Sequence, residues 1–345
     1  MFKVQTCQSD FNRGLINCGN TCFINACLQC LWMIKDIWSV LDTGFVPSQI
    51  GTPKAQMLWE LNSLRTALLT GSTPIQPDRF IACVRHVAAS LGIKEFLLGQ
   101  QCDAHEFLLF LIDILDSTII TPVNMAITGT EKNSIDIIAK KCYQTFYDQY
   151  RGKYSIVAEL LSNIQVSALY EPQTSEIISS SLTSQVSSVL SLQLPSTKIT
   201  ECSIYDCLSH YCCMERLEGE NSWFDEDRKV HRAVDKKIDF WSLPKILIIH
   251  INRWTIQGTK RDVSVTFPLT NLDFSSYVIG YNKSSYIYDL FAVCYHHGSE
   301  KLGHYTSCCL TSAGVWLHYD DANVSKVDSR HVVNRDSYIL FYRKK

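Results

Sequence analysis

The stretch from residue 14 to residue 32, GLINCGNTCFINACLQCLW, decides how this chain is interpreted, because it packs four cysteines into one short segment. Apolar residues recur at intervals of three and four from Phe23 to Trp38, a spacing that predicts one buried helix. Asn20 or Thr21 can cap the helix, since a short polar side chain there accepts from the free amides of the first turn. Cys22 then lies in the first turn, whereas Cys27 and Cys30 lie in the helix body.

Three explanations for these thiols differ in plausibility. Fifteen cysteines is an odd number, and the amino-terminal residues MFKVQTCQSDFNRG contain no apolar core typical of a secretory signal, so a disulfide framework is disfavoured. A zinc site built on Cys27 and Cys30 needs a second pair of ligands from elsewhere. A helix start favours the thiolate form and lowers the thiol pKa, which makes Cys22 a candidate nucleophile. The alternative is a buried structural cysteine at a helix start.

Composition narrows the function classes. The 345 residues are 46% hydrophobic and carry a net charge of -2, so the chain is globular and has no positive field to attract nucleic acid or anionic lipid. Its longest apolar runs, FLLFLIDIL and ILIIHI, fall well short of the roughly 20 residues that a membrane-spanning helix needs. We therefore expect a protein or small-molecule partner, no nucleic acid, no membrane and a cytoplasmic or nuclear location.

The periodicity changes along the chain. Helices are predicted in residues 78–92 and 102–119, and the first half is mainly helical. Residues 154–195 are rich in Ser, Thr, Val and Ile, which indicates extended or partly disordered structure. From Lys236 onward, strand-like segments alternate with turn residues, so this half is predicted to form a sheet.

A base for Cys22 is expected in the carboxyl-terminal sheet. His304 lies in GHYTSCCL, and the segment VWLHYDD follows after a turn at TSAG. If the turn closes a hairpin, residues whose numbers sum to about 625 face each other, which puts His304 opposite Asp320 or Asp321. A carboxylate there would fix the tautomer of the imidazole and orient its other nitrogen toward a thiol. His296 and His297, which have no carboxylate arrangement of their own, are interpreted as loop residues.

Five segments in order resemble the motifs of the ubiquitin-specific proteases. They are the opening cysteine stretch, GQQCDAHEFLLFLIDIL, LPKILIIHINRW, the histidine segment YDLFAVCYHHGSEKLGHYTSCCL with VWLHYDDANVSKV, and SYILFYRKK. The resemblance implies an α+β, papain-like cysteine peptidase fold with a helical thumb, β fingers and a β palm. We expect one catalytic domain over residues 11–345, with the thumb at about 11–145, the fingers at 146–235 and the palm at 236–345.

The resemblance also implies a catalytic set. Cys22 would be the nucleophile, and His304 the general base that later protonates the leaving amine. Asp320 would orient His304, with Asp321 as the reserve candidate. Asn17, which the residues alone already suggest as a side-chain donor, matches the oxyanion donor of the family.

Four further residues match substrate-binding positions. Asp103 and Glu106 would meet the basic tail of ubiquitin, although acids in the first turn of a helix are also favoured without any ligand. Gly303 and Tyr305 would form the narrow walls of a channel that admits only a Gly-Gly end. The expected partners are ubiquitin and ubiquitinated proteins. The bond cleaved would be the isopeptide or peptide bond that follows the Gly-Gly end of ubiquitin.

The fingers depart from the family pattern. Many members hold this region with two Cys-x-x-Cys pairs around zinc, whereas Phe224 and Asp227 stand roughly where the later pair would be. We expect no structural zinc and no cofactor, and fingers held by packing alone or shortened. Two alternatives to a deubiquitinase stay open: a catalytically weak ubiquitin-binding scaffold, and a protease for a ubiquitin-like modifier.

Overall fold

The computed structural model describes residues 12–42, 51–97, 99–174, 176–178, 181–195, 198–255, 257–299 and 302–345. Within them, the helices are α1 (Cys22–Trp32), α2 (Lys35–Asp42), α3 (Pro53–Thr70), α4 (Asp78–Leu91), α5 (Ala104–Thr118), α6 (Ser134–Tyr150), α7 (Ile156–Leu161) and α8 (Ile204–Tyr211). None of these helices combines the length and the apolar character needed to cross a bilayer.

The helix predicted from Phe23 to Trp38 is two helices. The chain tightens at the end of α1, where the Ile34 N–H bonds to the Leu31 carbonyl only three residues back. The indole of Trp38 donates to the same Leu31 carbonyl at 3.0 Å, which holds α2 against the end of α1. The predictions of α4 and α5 are confirmed.

The strands are β1 (Asn163–Tyr170), β2 (Thr183–Ser187), β3 (Leu190–Gln193), β4 (Glu201–Ser203), β5 (Glu215–Leu217), β6 (Trp223–Asp225), β7 (Val230–Arg232), β8 (Val234–Ser242), β9 (Ile246–Asn252), β10 (Ser264–Thr266), β11 (Leu272–Asp273), β12 (Ile287–Gly298), β13 (Gly303–Leu310), β14 (Trp316–Asp320), β15 (Asn323–Val327) and β16 (Ser337–Lys344). The sheet predicted for the carboxyl-terminal half is confirmed. Residues 154–195 are extended in part, but they also contain α7.

The largest sheet has the order β15-β14-β13-β12-β16-β9-β3, with β11 paired to β12. Helix α1 lies against β13 and β12, so the first helix packs on strands from the far end of the chain. Every residue of α1 is buried, which explains why this helix is apolar almost all round. This packing brings the cysteine segment to the histidine segment.

A second sheet has the order β2-β1-β8-β5. It forms the fingers, and α6 packs on β1 and β2. The approximate boundaries expected at 145/146 and 235/236 fall inside α6 and inside β8, respectively. Strand β3, which was expected in the fingers, pairs in parallel with β9 of the large sheet.

Ion pairs hold the tip of the fingers. Arg232 on β7 donates to both carboxylate oxygens of Glu171 at 2.6 Å and, through Nε, to Asp225 Oδ2 at 2.9 Å. Its guanidinium lies 5.2 Å from the centre of the Trp223 ring. Since Glu171 follows β1 and the others belong to the β6–β7 hairpin, Arg232 fastens the hairpin to the body of the fingers. The fingers, which were expected to be held by packing alone or to be shortened, therefore also contain ion pairs.

Candidate active site

Cys22 begins α1 behind a tight turn. Gly19 and Asn20 both have positive φ angles, 88° and 55°, and this left-handed pair turns the chain sharply before the helix. Thr21 occupies the N-cap position without a side-chain capping bond, so its hydroxyl does not occupy the first-turn amides. Amides of this kind are suited to binding an anion.

Burial opposes ionisation of the Cys22 thiol. The side chain is only 2% exposed, and this burial raises its pKa above the usual 9.0 although the backbone N–H groups of Tyr305 and Phe23 act in the opposite direction. Asp321 raises it further. The expectation that the helix start leaves a lowered pKa is therefore wrong, because desolvation outweighs the amides. Proton transfer to a base is required to form the thiolate.

The neighbouring thiols have structural surroundings. Cys27 donates to the Ala104 carbonyl at 3.3 Å in the core, and burial raises the pKa of Cys30 well above its usual range. Cys18 contacts the Ile16 carbonyl at 3.5 Å, and burial raises its pKa to about 11. Of the four, only Cys22 lies beside the histidine strand at the start of a helix.

His304 and Asp320 form the predicted pair. The β13–β14 hairpin has Ser307 opposite Tyr319, which confirms the register expected from the sequence. His304 Nε2 lies 2.7 Å from Asp320 Oδ1, and the two side chains are 41% and 48% exposed. A carboxylate can only accept, so Nε2 carries the hydrogen and Nδ1 is left as the basic nitrogen.

Asp321 has a different set of partners. Its Oδ2 accepts from Asn17 Nδ2 at 2.9 Å, and its Oδ1 accepts from Asn25 Nδ2 at 2.8 Å. Asp321 has a φ of 51°, which turns its side chain away from the hairpin toward the amino-terminal segment. The two adjacent carboxylates are thus divided between the imidazole and the asparagines. Asn25 was not predicted, because an asparagine inside an apolar helix gives no sequence signal of such a partner.

The Asn17 amide is fixed at both ends. Its Oδ1 accepts from the Gly19 N–H at 3.0 Å, the Thr21 N–H at 3.1 Å and the Thr21 hydroxyl at 3.2 Å. Its Nδ2 donates one hydrogen to Asp321, which leaves the second hydrogen free for a ligand. This arrangement suits a donor to a developing oxyanion beside the first turn of α1.

The thiol and the imidazole meet at β13. The backbone N–H of Tyr305, the residue after His304, acts to lower the pKa of the Cys22 thiol, and α1 packs on β13. Cys22 therefore lies within hydrogen-bonding reach of the peptide that joins His304 to Tyr305. Among the described residues, the thiol has no hydrogen bond to the imidazole, so the direct contact has to form by a rotation of side chains.

A cleft of about 340 Å³ runs beside this site and is lined by Glu95, Asp103, Glu106, Trp254, Gly258 and Tyr305, among others. Asp103 caps α5, because its Oδ1 accepts from the His105 N–H at 2.6 Å and its Oδ2 accepts from the Tyr338 hydroxyl. Glu106 presents a 67% exposed carboxylate to the cleft. Glu106 therefore offers the freer negative charge, whereas Asp103 also ties α5 to the large sheet.

The two predicted wall residues occupy different places. Tyr305 is buried and lines the cleft, with its ring 6.0 Å from that of Tyr338. Gly303 is buried, and a Cβ added there would lie 2.2 Å from His296 Nε2 and 2.8 Å from the Ser299 carbonyl. Glycine is required at 303 because the strand passes so close to His296.

The two other histidines of this region lie on β12, not in a loop. His297 Nδ1 lies 3.0 Å from Asp336 Oδ2, and its Nε2 lies 3.1 Å from the Thr306 hydroxyl, so it does have a carboxylate partner. His296 is buried, and desolvation together with Lys260 lowers its pKa to about 4. The interpretation as loop residues is therefore wrong for both, and the interpretation that no carboxylate is present is wrong for His297.

In the described part of the chain, His304, Asp320 and Asp321 offer ligand atoms within 4.8 Å of one another, the only such grouping of metal-ligating residues found there. Their bonds to one another and to Asn17 and Asn25 explain this proximity without an ion.

A family model for ubiquitin carboxyl-terminal hydrolases matches residues 13–342 of the chain. Ubiquitin carboxyl-terminal hydrolase 9 of Arabidopsis thaliana is 39% identical over 152 residues, which is 43% of this chain and 17% of that protein. Ubiquitin carboxyl-terminal hydrolase 4 of Pongo abelii is 35% identical over 158 residues, 45% of this chain and 16% of that protein. The alignments thus span about a sixth of the length of these relatives.

Solved structures share the fold. The SAGA Ubp8/Sgf11/Sus1/Sgf73 DUB module bound to ubiquitin aldehyde contains a chain that superposes with a TM-score of 0.72 at 21% identity, covering 100% of this chain and 72% of that chain. A chain of the yeast SAGA DUBm gives a TM-score of 0.71 at 22% identity, covering 98% and 69%. The expected fold of helical thumb, β fingers and β palm is confirmed.

Proposed function

The chain belongs to the ubiquitin carboxyl-terminal hydrolase family, and on this premise we propose that it is a thiol-dependent deubiquitinase. The substrates are isopeptide or peptide bonds that follow the Gly-Gly end of ubiquitin on ubiquitinated proteins. One observation carries the proposal: His304 is held by Asp320 at 2.7 Å on β13, the strand on which α1 packs with Cys22 at its start. A structural role needs neither the free Nδ1 nor the free amide hydrogen of Asn17.

The reaction begins with proton transfer from Cys22 to His304 Nδ1. The thiolate attacks the carbonyl carbon of the terminal glycine, and the carbonyl oxygen takes the negative charge. Asn17 Nδ2 and the first-turn amide of Cys22 donate to that oxygen. His304 then gives its proton to the leaving amine, and a thioester remains on Cys22.

Water completes the cycle. His304, again neutral, removes a proton from a water molecule that attacks the thioester carbon. The tetrahedral species collapses, Cys22 leaves as thiolate, and ubiquitin departs with a free carboxylate. Asp320 accepts from Nε2 throughout and stabilises the imidazolium that forms in both halves.

The cleft supports ubiquitin as the ligand class. Glu106 and Glu95 give its approach a negative charge, which favours a basic tail. Tyr305 and Trp254 narrow it, which favours an end without side chains. We also propose a cytoplasmic or nuclear location, since the fourteen described cysteines are free thiols, a state that persists in reducing compartments.

Ubiquitin that carries a carboxyl-terminal Michael acceptor tests the proposal. Wild type, Cys27→Ala and Cys30→Ala should be labelled, and Cys22→Ala should not. Labelling that survives Cys22→Ala would exclude this thiol as the nucleophile. The same reagent built on ubiquitin-like modifiers separates the two substrate classes, and a protein that binds ubiquitin but is never labelled would be a scaffold.

A further inference from the structure

Gln101 connects the helical thumb to the first residue of β13. It lies in the segment before α5, and its Oε1 accepts from the Gly303 N–H at 2.9 Å. Its Nε2 donates to the carbonyl oxygen of the same glycine. One side-chain amide thus satisfies both backbone groups of the residue that precedes His304. Gln101 lies in the motif-like segment GQQCDAHEFLLFLIDIL, but neither the sequence analysis nor the reaction steps above give it a role.

The edge of β13 explains why the contact exists. Strand β12 pairs with β13 from Gly303 onward, with His297 opposite His304, whereas β14 pairs with β13 only from Ser307. The other edge of β13 is therefore open around His304. Backbone N–H groups of alternate residues point to the same edge of a strand, so those of 303 and 305 both point there. Gln101 accepts from the Gly303 N–H, and the Tyr305 N–H points toward the edge on which α1 begins at Cys22.

Gly303 is confined on its other side as well. A Cβ at this position would lie 2.2 Å from His296 Nε2, so the strand already touches the imidazole of His296. Gly298, which opposes Gly303 across the pair with β12, has a φ of 91°, and a Cβ there would lie 2.5 Å from the Leu302 carbonyl. The start of β13 therefore has close packing on one side and Gln101 on the other.

We propose that Gln101 is a positioning residue for His304, and this inference rests on the proposed function. Gln101 fixes the backbone immediately before His304, and β12 pairs with His304 itself. Only the two side-chain torsions of His304 then remain to be set, and Asp320 limits them. Without Gln101, the strand end loses its attachment to the thumb and the imidazole loses its alignment with the thiol. Misplacement by about 1 Å costs up to roughly 100-fold in rate.

Gln101→Ala and Gln101→Glu test the role. The carboxylate of the second variant has nearly the same shape and still accepts from the Gly303 N–H, but it cannot donate to the Gly303 carbonyl. We expect both variants to lower kcat on a fluorogenic ubiquitin amide by about 10-fold or more, with KM within twofold of wild type. The maximal inactivation rate with the Michael-acceptor ubiquitin should fall by a similar factor. The Kd of ubiquitin, measured in a Cys22→Ala background, should stay unchanged.

Gln144→Ala on α6 is the matched control, because this glutamine is exposed and, within the described part of the chain, its side chain bonds to Asp148 alone. It should match wild type in every assay. A rise in KM and Kd at constant kcat in the Gln101 variants would show contact with the ubiquitin tail and overturn the positioning role. Unchanged kinetics would overturn it too. If the wild-type protein were not labelled by Michael-acceptor ubiquitin, the proposed function would be refuted instead. Failure of the positioning role and failure of the proposed function therefore give different results.

Discussion

Asp321→Asn separates the roles of the two adjacent carboxylates. Asp321 accepts from Asn17 through Oδ2 and from Asn25 through Oδ1. An asparagine at 321 keeps one oxygen and presents an NH₂ group in place of the other. Asn25 is buried and Asn17 is exposed, and a buried donor is the more costly one to leave unpaired. The remaining oxygen should therefore face Asn25, and the new NH₂ group should repel Nδ2 of Asn17.

The magnitude follows from the role of Asn17. Removal of one oxyanion donor costs about 2.7–4 kcal/mol, or roughly 100- to 1,000-fold in kcat. Asp321→Asn displaces the donor without deleting it, so we expect about a 10- to 100-fold fall in kcat with KM within twofold. The rate of labelling by Michael-acceptor ubiquitin should hardly change, because that reaction forms no tetrahedral oxyanion.

Asp320→Asn is the paired variant. It removes the acceptor that fixes His304 Nε2, so turnover and labelling should both fall, with turnover reduced by about 100-fold or more. Thermal unfolding of both variants checks that the fold is retained. If Asp321→Asn slowed labelling as strongly as Asp320→Asn does, Asp321 would act on the imidazole, and the division of roles drawn from the hydrogen bonds would be wrong.

Three further predictions use other parts of the molecule. His304→Ala should abolish turnover while the Kd of ubiquitin, measured by calorimetry, stays within twofold; loss of binding would indicate a structural histidine. Arg232→Met should release the β6–β7 hairpin from Glu171 and weaken ubiquitin binding at nearly unchanged kcat. EDTA should leave the Kd of wild type for ubiquitin unchanged. A Kd that rises with EDTA would contradict the conclusion that ion pairs hold the hairpin. The pKa of His296 is about 4 in the folded state, against the usual 6.5. As the pH falls, the unfolded chain therefore binds a proton at this histidine before the folded chain does. About 3 kcal/mol of folding stability should be lost between pH 6.5 and 4. His296→Gln should flatten this dependence in urea titrations, and an unchanged slope would refute it.

Elements with strong local patterns could be predicted from the sequence. Helices α4 and α5 have one clear apolar face, and the β13–β14 hairpin has a turn whose length fixes the register of His304 and Asp320. Helix α6 was missed because exposed Ile135, Ile137 and Tyr143 blur its apolar face. The division between α1 and α2 was missed because it depends on Trp38 reaching back to the Leu31 carbonyl, a tertiary contact.

Parts of the site depend on contacts between distant segments, and sequence patterns do not encode these. The order of Asp320 and Asp321 around the site is set by the positive φ of Asp321 and by Asn25 inside α1. The pKa of Cys22 depends on how completely β13 covers the thiol, and the position in the helix alone gave the wrong direction. The Gln101 contact joins residues 202 positions apart.

The covered thiol has a consequence for oxidative stress. Hydrogen peroxide attacks thiolates far faster than thiols, and the burial that shields Cys22 from solvent also raises its pKa. An idle enzyme molecule should therefore survive an oxidant pulse that inactivates peptidases with a permanently ionised cysteine. The rate of oxidative inactivation should instead rise with the rate of turnover. Each catalytic cycle forms the Cys22 thiolate for a short time before product release restores the buried thiol.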